Sequence, residues 1–143
     1  MSKLAVVYWS STGNTEAMAE AILEGIKNAG AEAELFTPDN FDASMMDDFD
    51  AVAFGCPASG SESLEEAEFE PMFSACEEKL SGKKIALFGA YGWGGGPWMR
   101  DWEELCRSKD AVLVSEGLIC HETPDDDVLE QCRNLGAELV KAI

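Results

Sequence analysis

Positive charge is scarce in this sequence: ten lysines and arginines stand against 28 aspartates and glutamates, a formal net charge of −18 over 143 residues. Such a chain repels polyanions, which excludes nucleic acid and anionic membrane surfaces as partners and favours basic proteins. Long apolar runs are missing as well. The longest are strand-length, and no basic segment followed by a hydrophobic stretch and cleavage site opens the chain, so a soluble, cytoplasmic, single-domain protein spanning residues 1–143 is expected. Histidine occurs once, as His121. The five cysteines, Cys56, Cys76, Cys106, Cys120 and Cys132, are odd in number and lack a Cys-x-x-Cys pair. That spacing points away from a disulfide framework or a zinc or iron–sulfur site and toward reduced, buried thiols. Two nucleotide signatures are also absent. Gly13 is followed by Asn14-Thr15-Glu16 where a P-loop ATPase needs Gly-Lys-Ser/Thr, and the one run similar to a dinucleotide fingerprint, Gly92-Trp93-Gly94-Gly95-Gly96-Pro97, comes late and ends in proline.

What is present is concentrated at the start. Leu4-Ala5-Val6-Val7-Tyr8-Trp9 reads as a buried strand and runs into Ser10-Ser11-Thr12-Gly13-Asn14-Thr15, after which Met18, Ile22 and Ile26 recur every four residues up to Gly30. This is strand, hydroxyl-rich turn and amphipathic helix. A helix start offers unpaired N–H groups and a positive dipole end, and the hydroxyls add donors, so the turn reads as a cradle for a phosphate monoester. An ordinary βα connection whose hydroxyls merely cap the helix remains open at this point. No lysine or arginine lies between Lys3 and Lys27, so an anion here would be held by neutral donors.

Further short apolar runs at Ala33–Phe36, Ala51–Phe54, Ile85–Phe88 and Ala111–Val114 alternate with helix-length segments at Glu70–Leu80, Pro97–Cys106 and from Asp126 onward, while Asp39–Asp48 carries no clear period. Strands without polar alternation are buried on both faces, so the expected fold is α/β: a doubly wound, five-stranded parallel sheet with helices on both faces. Ligands of such sheets bind at the carboxyl ends of the strands, where this chain carries its most unusual turns. One is Gly55-Cys56-Pro57-Ala58-Ser59-Gly60-Ser61-Glu62; the Glu62 carboxylate could accept from a ring imide N–H, but Glu65, Glu66, Glu68 and Glu70 beside it read as a solvated face, and taken alone Glu62 reads the same way. Cys56 has no neighbouring histidine to activate it. The other is Gly89-Ala90-Tyr91-Gly92-Trp93-Gly94-Gly95-Gly96-Pro97-Trp98, in which Trp93 belongs to no helical or strand pattern and reads as a stacking platform. Trp98 suits either core or ligand.

These turns resemble the flavodoxin family, specifically its short-chain clostridial type, over essentially the whole chain. The resemblance implies the strand order 2-1-3-4-5 and FMN as cofactor. It assigns Ser10, Ser11, Thr12, Gly13, Asn14 and Thr15 to the 5′-phosphate, Pro57, Ala58, Ser59, Gly60, Ser61 and Glu62 to the ring edge, and Gly89, Ala90, Tyr91, Gly92, Trp93 and Gly94, with Trp93 stacking, to the ring face. The Gly60-Ser61 peptide would flip on reduction and Glu62 would face flavin N3–H. Ser59 and Ser61 stand where the family carries methionine and often aspartate, which thins the apolar cover and eases formation of the reduced anion.

The function so implied is a low-potential one-electron carrier, not an enzyme. It would work as a monomer, passing electrons between reductases and oxidoreductases with basic docking surfaces, with Glu62, Glu65 and Glu66 as docking groups. An NAD(P)H-dependent FMN or quinone reductase on the same fold is the main competitor, disfavoured by the lack of a basic site for a second nucleotide. A flavin storage protein would lack redox-coupled loop behaviour. A phosphorelay receiver fails because Tyr8-Trp9 and Phe54-Gly55-Cys56 stand where its acidic residues belong. His121 follows the fifth strand, where the last loop could approach the ring, but reads first as a solvent-exposed loop histidine.

Overall fold

The computed structural model describes residues 2–10, 13–58, 65, 67–92 and 96–143. Strands β1 (Lys3–Tyr8), β2 (Glu32–Phe36), β3 (Ala51–Gly55), β4 (Lys84–Tyr91), β5 (Val112–Leu113) and β6 (Leu118–His121) alternate with helices α1 (Asn14–Asn28), α2 (Phe69–Cys76), α3 (Pro97–Ser108) and α4 (Asp126–Ala142). The sheet is parallel in the order β2-β1-β3-β4-β5, with β6 also pairing β4. Among the described residues no helix is long and apolar enough to cross a membrane.

Why the central strands are uniformly apolar is visible in their partition. Ala5, Val7, Val52, Phe54, Ile85 and Leu87 face the side covered by α2 and α3, and Leu4, Val6, Ala51, Ala53, Ala86 and Phe88 face α1 and α4. Successive side chains point to opposite faces, and both faces are buried. The first side is built on aromatics: Phe54 and Phe73 meet edge to face with centroids 5.0 Å apart, and Trp102 stands perpendicular to Phe69 at 5.5 Å. The second is built on small residues, and its helices close in. A β-carbon at Gly25 of α1 would lie 2.0 Å from the Arg133 carbonyl oxygen of α4, and one at Gly136 would lie 2.4 Å from the Ile22 carbonyl oxygen.

Two segments depart from expectation. Residues 39–48 form two 3-10 turns, Pro38–Asn40 and Ala43–Asp48, which bury Met46 and are bordered by buried Phe41 and Phe49. The Thr37 and Asn40 side chains cap the first turn and Asp42 caps the second, so local capping replaces a helical period. The fifth strand position, expected at Ala111–Val114, is filled by two pieces: β5 pairs with Lys84–Ile85, and β6 pairs with Phe88–Tyr91. The break has a physical cause in α3. Glu103, 2% exposed, accepts the Gly117 N–H at 2.6 Å through one carboxylate oxygen, and its other oxygen lies 3.1 Å from Arg100 Nη1.

Alanine at Gly136 gains about 1 kcal/mol of helix propensity. The β-carbon meets backbone that cannot rotate away, so net destabilisation of about 1–3 kcal/mol is expected in urea denaturation of G136A. A variant more stable than the parent would contradict the close α1–α4 approach.

Candidate functional site

The carboxyl ends of β1, β3 and β4 meet at one edge of the sheet, and the first turn is shaped by its glycine. Gly13 precedes α1 with φ 92°, a left-handed conformation that disfavours any side chain, and a β-carbon there would meet nothing within 4 Å. Its N–H is used, donating to Ser10 Oγ at 3.1 Å. No side chain caps the helix among the described residues, which leaves the N–H groups of Asn14, Thr15 and Glu16 facing outward at the positive end of α1.

Ala90 joins this turn to the other two. Its N–H donates to Thr15 Oγ1 at 3.3 Å and its carbonyl accepts from Ala58 N–H at 3.2 Å. Thr15 is 1% exposed. With Oγ1 accepting from Ala90, its hydroxyl proton has no acceptor among the described residues and is available to an anion. The segment after β3 is held by two more bonds: Cys56 N–H donates to the Phe88 carbonyl at 3.1 Å, and the Trp98 indole N–H to the Cys56 carbonyl at 3.3 Å. Trp98 is thereby a core residue, 2% exposed. A β-carbon at Gly89 would lie 2.2 Å from that same Cys56 carbonyl oxygen.

Ser10, Gly13, Asn14, Thr15, Pro57, Ala58, Gly89, Ala90, Tyr91 and Gly92 thus lie on three turns laced at one edge. Ser11, Thr12, Ser59, Gly60, Ser61, Glu62, Trp93 and Gly94 fall outside the described residues, as does Glu66. Residues the motif analysis passed over also belong here. A cavity of about 560 Å³ beside the first turn is lined by Trp9, Ser10, Gly13, Glu16, Asp39 and Glu68 among others, and the Tyr8 hydroxyl donates to Glu16 at 2.9 Å. Burial and the Glu16 carboxylate push the Tyr8 phenol up to about 12. The available signal for Trp9 was an aromatic side chain directly at the strand end.

Two expectations are corrected. Glu65 is no docking group on a solvated face: it is 8% exposed, and its carboxylate accepts N–H bonds from Ala67, Glu68 and Phe69 at 2.8, 2.7 and 2.8 Å, capping α2. Burial pushes its pKa up, but the three N–H donors outweigh that and hold it below the usual carboxylate value. His121 is exposed as expected but ends β6 rather than lying in a loop, with Nε2 3.1 Å from the Gly92 carbonyl oxygen. Cys56 is fully buried, and burial pushes its thiol up to about 12 although the Glu65 N–H works against this, which rules out an activated nucleophile.

An open helix start without cationic neighbours fits a phosphate monoester, and turns laced by backbone bonds beside it fit a planar ring. Together with the doubly wound sheet, this defines a mononucleotide-binding α/β protein. The family model described as Flavodoxin matches residues 6–136. Flavodoxins of Clostridium beijerinckii and Megasphaera elsdenii are each 42% identical to this chain, over 95% and 96% of it and 98% of each of them. The solution structure of two-electron reduced Megasphaera elsdenii flavodoxin superposes with a TM-score of 0.89 at 40% identity, covering 96% of this chain and 98% of that one. This chain belongs to the flavodoxin family of FMN-binding electron carriers.

A carboxylate whose folded pKa is depressed stabilises the fold above its unfolded value and loses that contribution as pH falls through the folded value. Glu65→Gln should therefore lower stability at pH 7, and the deficit against wild type should shrink as pH drops below about 4.3, the ordinary glutamate value. Chemical denaturation at stepped pH reads this directly; a deficit that does not change with pH would assign Glu65 a purely steric role.

Proposed function

We propose that this chain, as one monomeric FMN-binding domain of the cytoplasm, carries single electrons at low potential and turns over no substrate of its own. The observation that carries the reading is the lacing of three turns through Ala90, with Thr15 shared between the open start of α1 and the end of β4. In it, Ser10, Ser11, Thr12, Gly13, Asn14 and Thr15 hold the phosphate through neutral donors. Pro57, Ala58, Ser59, Gly60, Ser61 and Glu62 border the ring, as do Gly89, Ala90, Tyr91, Gly92, Trp93 and Gly94, with Trp93 stacking on it and Glu62 facing the imide. FMN supplies a ring able to accept electrons one at a time. The residues around it set how readily charge is added: Glu16, Asp39, Glu68 and Glu122 are exposed at this end of the sheet. The chain's −18 adds to their field, and negative potential opposes further negative charge on the ring.

Charge placement also supports a basic redox partner. Lys3 and Lys84 begin strands, Lys27, Arg107 and Lys141 lie in the last turns of helices, and Lys79, Lys83 and Lys109 sit in the connections at that same end. The opposite end, where the three turns meet, holds only Arg100 of the first turn of α3 among the described lysines and arginines. A partner with a basic surface is steered to the flavin end, and a second nucleotide, which a hydride-accepting reductase must bind, finds few cations there.

Stepwise anaerobic reduction followed by visible spectrum should show two separate one-electron stages. Bleaching in a single two-electron stage with steady NAD(P)H oxidation would favour the reductase, and a colourless protein that takes up no added FMN would overturn both. Thr15→Val removes the proton offered to the anion and also strands the buried Ala90 N–H, so FMN affinity should fall at least about tenfold and the apoprotein should lose about 1–3 kcal/mol of stability. Fluorescence quenching on FMN titration measures this.

A further inference from the structure

His121 is placed on the third turn by its own backbone. It pairs with Tyr91 in the β4–β6 register, and the next N–H, of Glu122, donates to the Tyr91 carbonyl at 2.8 Å. Its ring lies 5.1 Å from the Tyr91 ring, and its Nε2 sits 3.1 Å from the Gly92 carbonyl oxygen and 3.4 Å from Glu122 Oε1. Both neighbours of Nε2 are acceptors, so this geometry is bonded only when Nε2 carries the proton. The imidazole thus clamps the residue through which β4 leaves for Trp93.

A neutral amide could form the same bond. Histidine adds a charge that ordinarily switches between pH 5 and 8. In contact with it are the Glu122 carboxylate of its own turn and the Tyr91 ring of β4, and the carboxylates that follow in the chain, Asp125, Asp126 and Asp127, start α4, where Asp125 accepts from Val128 N–H. From α3 the cation at this end of the sheet is Arg100, already paired with Glu103. Carboxylates and phenols as classes keep one charge across that window, and imidazole is the side-chain type that ordinarily changes it.

We propose that His121 is a positioning residue of the cofactor turn whose protonation is coupled to electron uptake. The inference rests on the proposed placement of the ring by residues 89–94. Nε2–H holds the Gly92 carbonyl in both states. With FMN bound as the electron acceptor, a proton from solvent would be taken at His121 Nδ1 as charge is added, and no bond of the protein would break. Charge on the ring and charge on the imidazole favour each other reciprocally.

The test uses the FMN-loaded protein with His121→Gln, whose amide donates to Gly92 but does not titrate, and His121→Ala, which does neither. His121 is exposed, so both variants should fold, which circular dichroism and FMN stoichiometry verify. Between pH 8 and pH 5, wild type should gain about threefold in the equilibrium for the second electron relative to H121Q, the size of a screened interaction between partly exposed charges. The C2–H proton resonance of this single histidine should titrate at higher pH in the reduced protein than in the oxidised one. H121A should bind FMN about fivefold more weakly, and H121Q as tightly as wild type. Parallel pH curves for wild type and H121Q, or a resonance midpoint unmoved by reduction, overturn the coupling. H121A binding FMN as tightly as wild type overturns the clamp. A wild-type protein that binds no FMN fails the cofactor reading instead.

Discussion

The site depends on a mismatch in strand length and on what fills it. β3 ends at Gly55 while β4 continues to Tyr91, so beyond Phe88 the edge of β4 faces a place with no regular neighbour. Backbone groups buried there must find partners. At Ala90 they are a side chain and a turn: Thr15 Oγ1 takes the N–H and Ala58 supplies a donor to the carbonyl. Thr15 therefore acts as a substitute rung of the ladder. Since it lies in the first turn of α1, the helix that offers its open end to an anion is fixed directly to the strand that carries the aromatic turn. Neither end can shift without breaking a buried hydrogen bond.

Charge is arranged on a larger scale than pairs. The described ion pairs Lys3–Glu34, Lys79–Asp47 and Lys109–Glu77 are exposed or half-exposed, where each contributes little to stability. Their collective effect is to concentrate cations at the amino ends of the strands and to leave the carboxyl ends acidic. An anion cradle at the acidic end would be paradoxical if it depended on net charge. In the proposed reading it depends instead on short-range N–H and O–H donors and the α1 dipole, and the long-range field would act on partners and on the energy of added electrons.

Most of the fold was legible because its determinants are local or periodic. The four-residue recurrence of Met18, Ile22 and Ile26 marks α1, and the two-sided burial of β1, β3 and β4 leaves apolar runs with no polar alternation. What was not legible depends on distant groups. The division of the fifth strand turns on Glu103 of α3 reaching Gly117, a contact that no local pattern encodes. Trp98 suited core and ligand equally in sequence; the Cys56 carbonyl, 42 residues away, decides for the core. At the site, Gly13 was readable because the left-handed backbone there demands glycine. For His121 the approach of the last loop was readable, but its contact with the Gly92 carbonyl was not, because that arises only once β6 sets it beside Tyr91.

Glu65 shows how an acidic run can hide one residue with a different task. Glu65, Glu68 and Glu70 look alike in a chain with 28 acidic residues, yet only Glu65 is buried, and it is buried because three N–H groups at the start of α2 need an acceptor. Its own N–H donates to Cys56 Sγ at 3.4 Å, and Cys56 N–H is bonded to Phe88. Residues 57–64 therefore begin and end on anchors centred on one cysteine, between the end of β3 and the start of α2. The acid that read as a docking group is the one that ties the start of α2 to the end of β3.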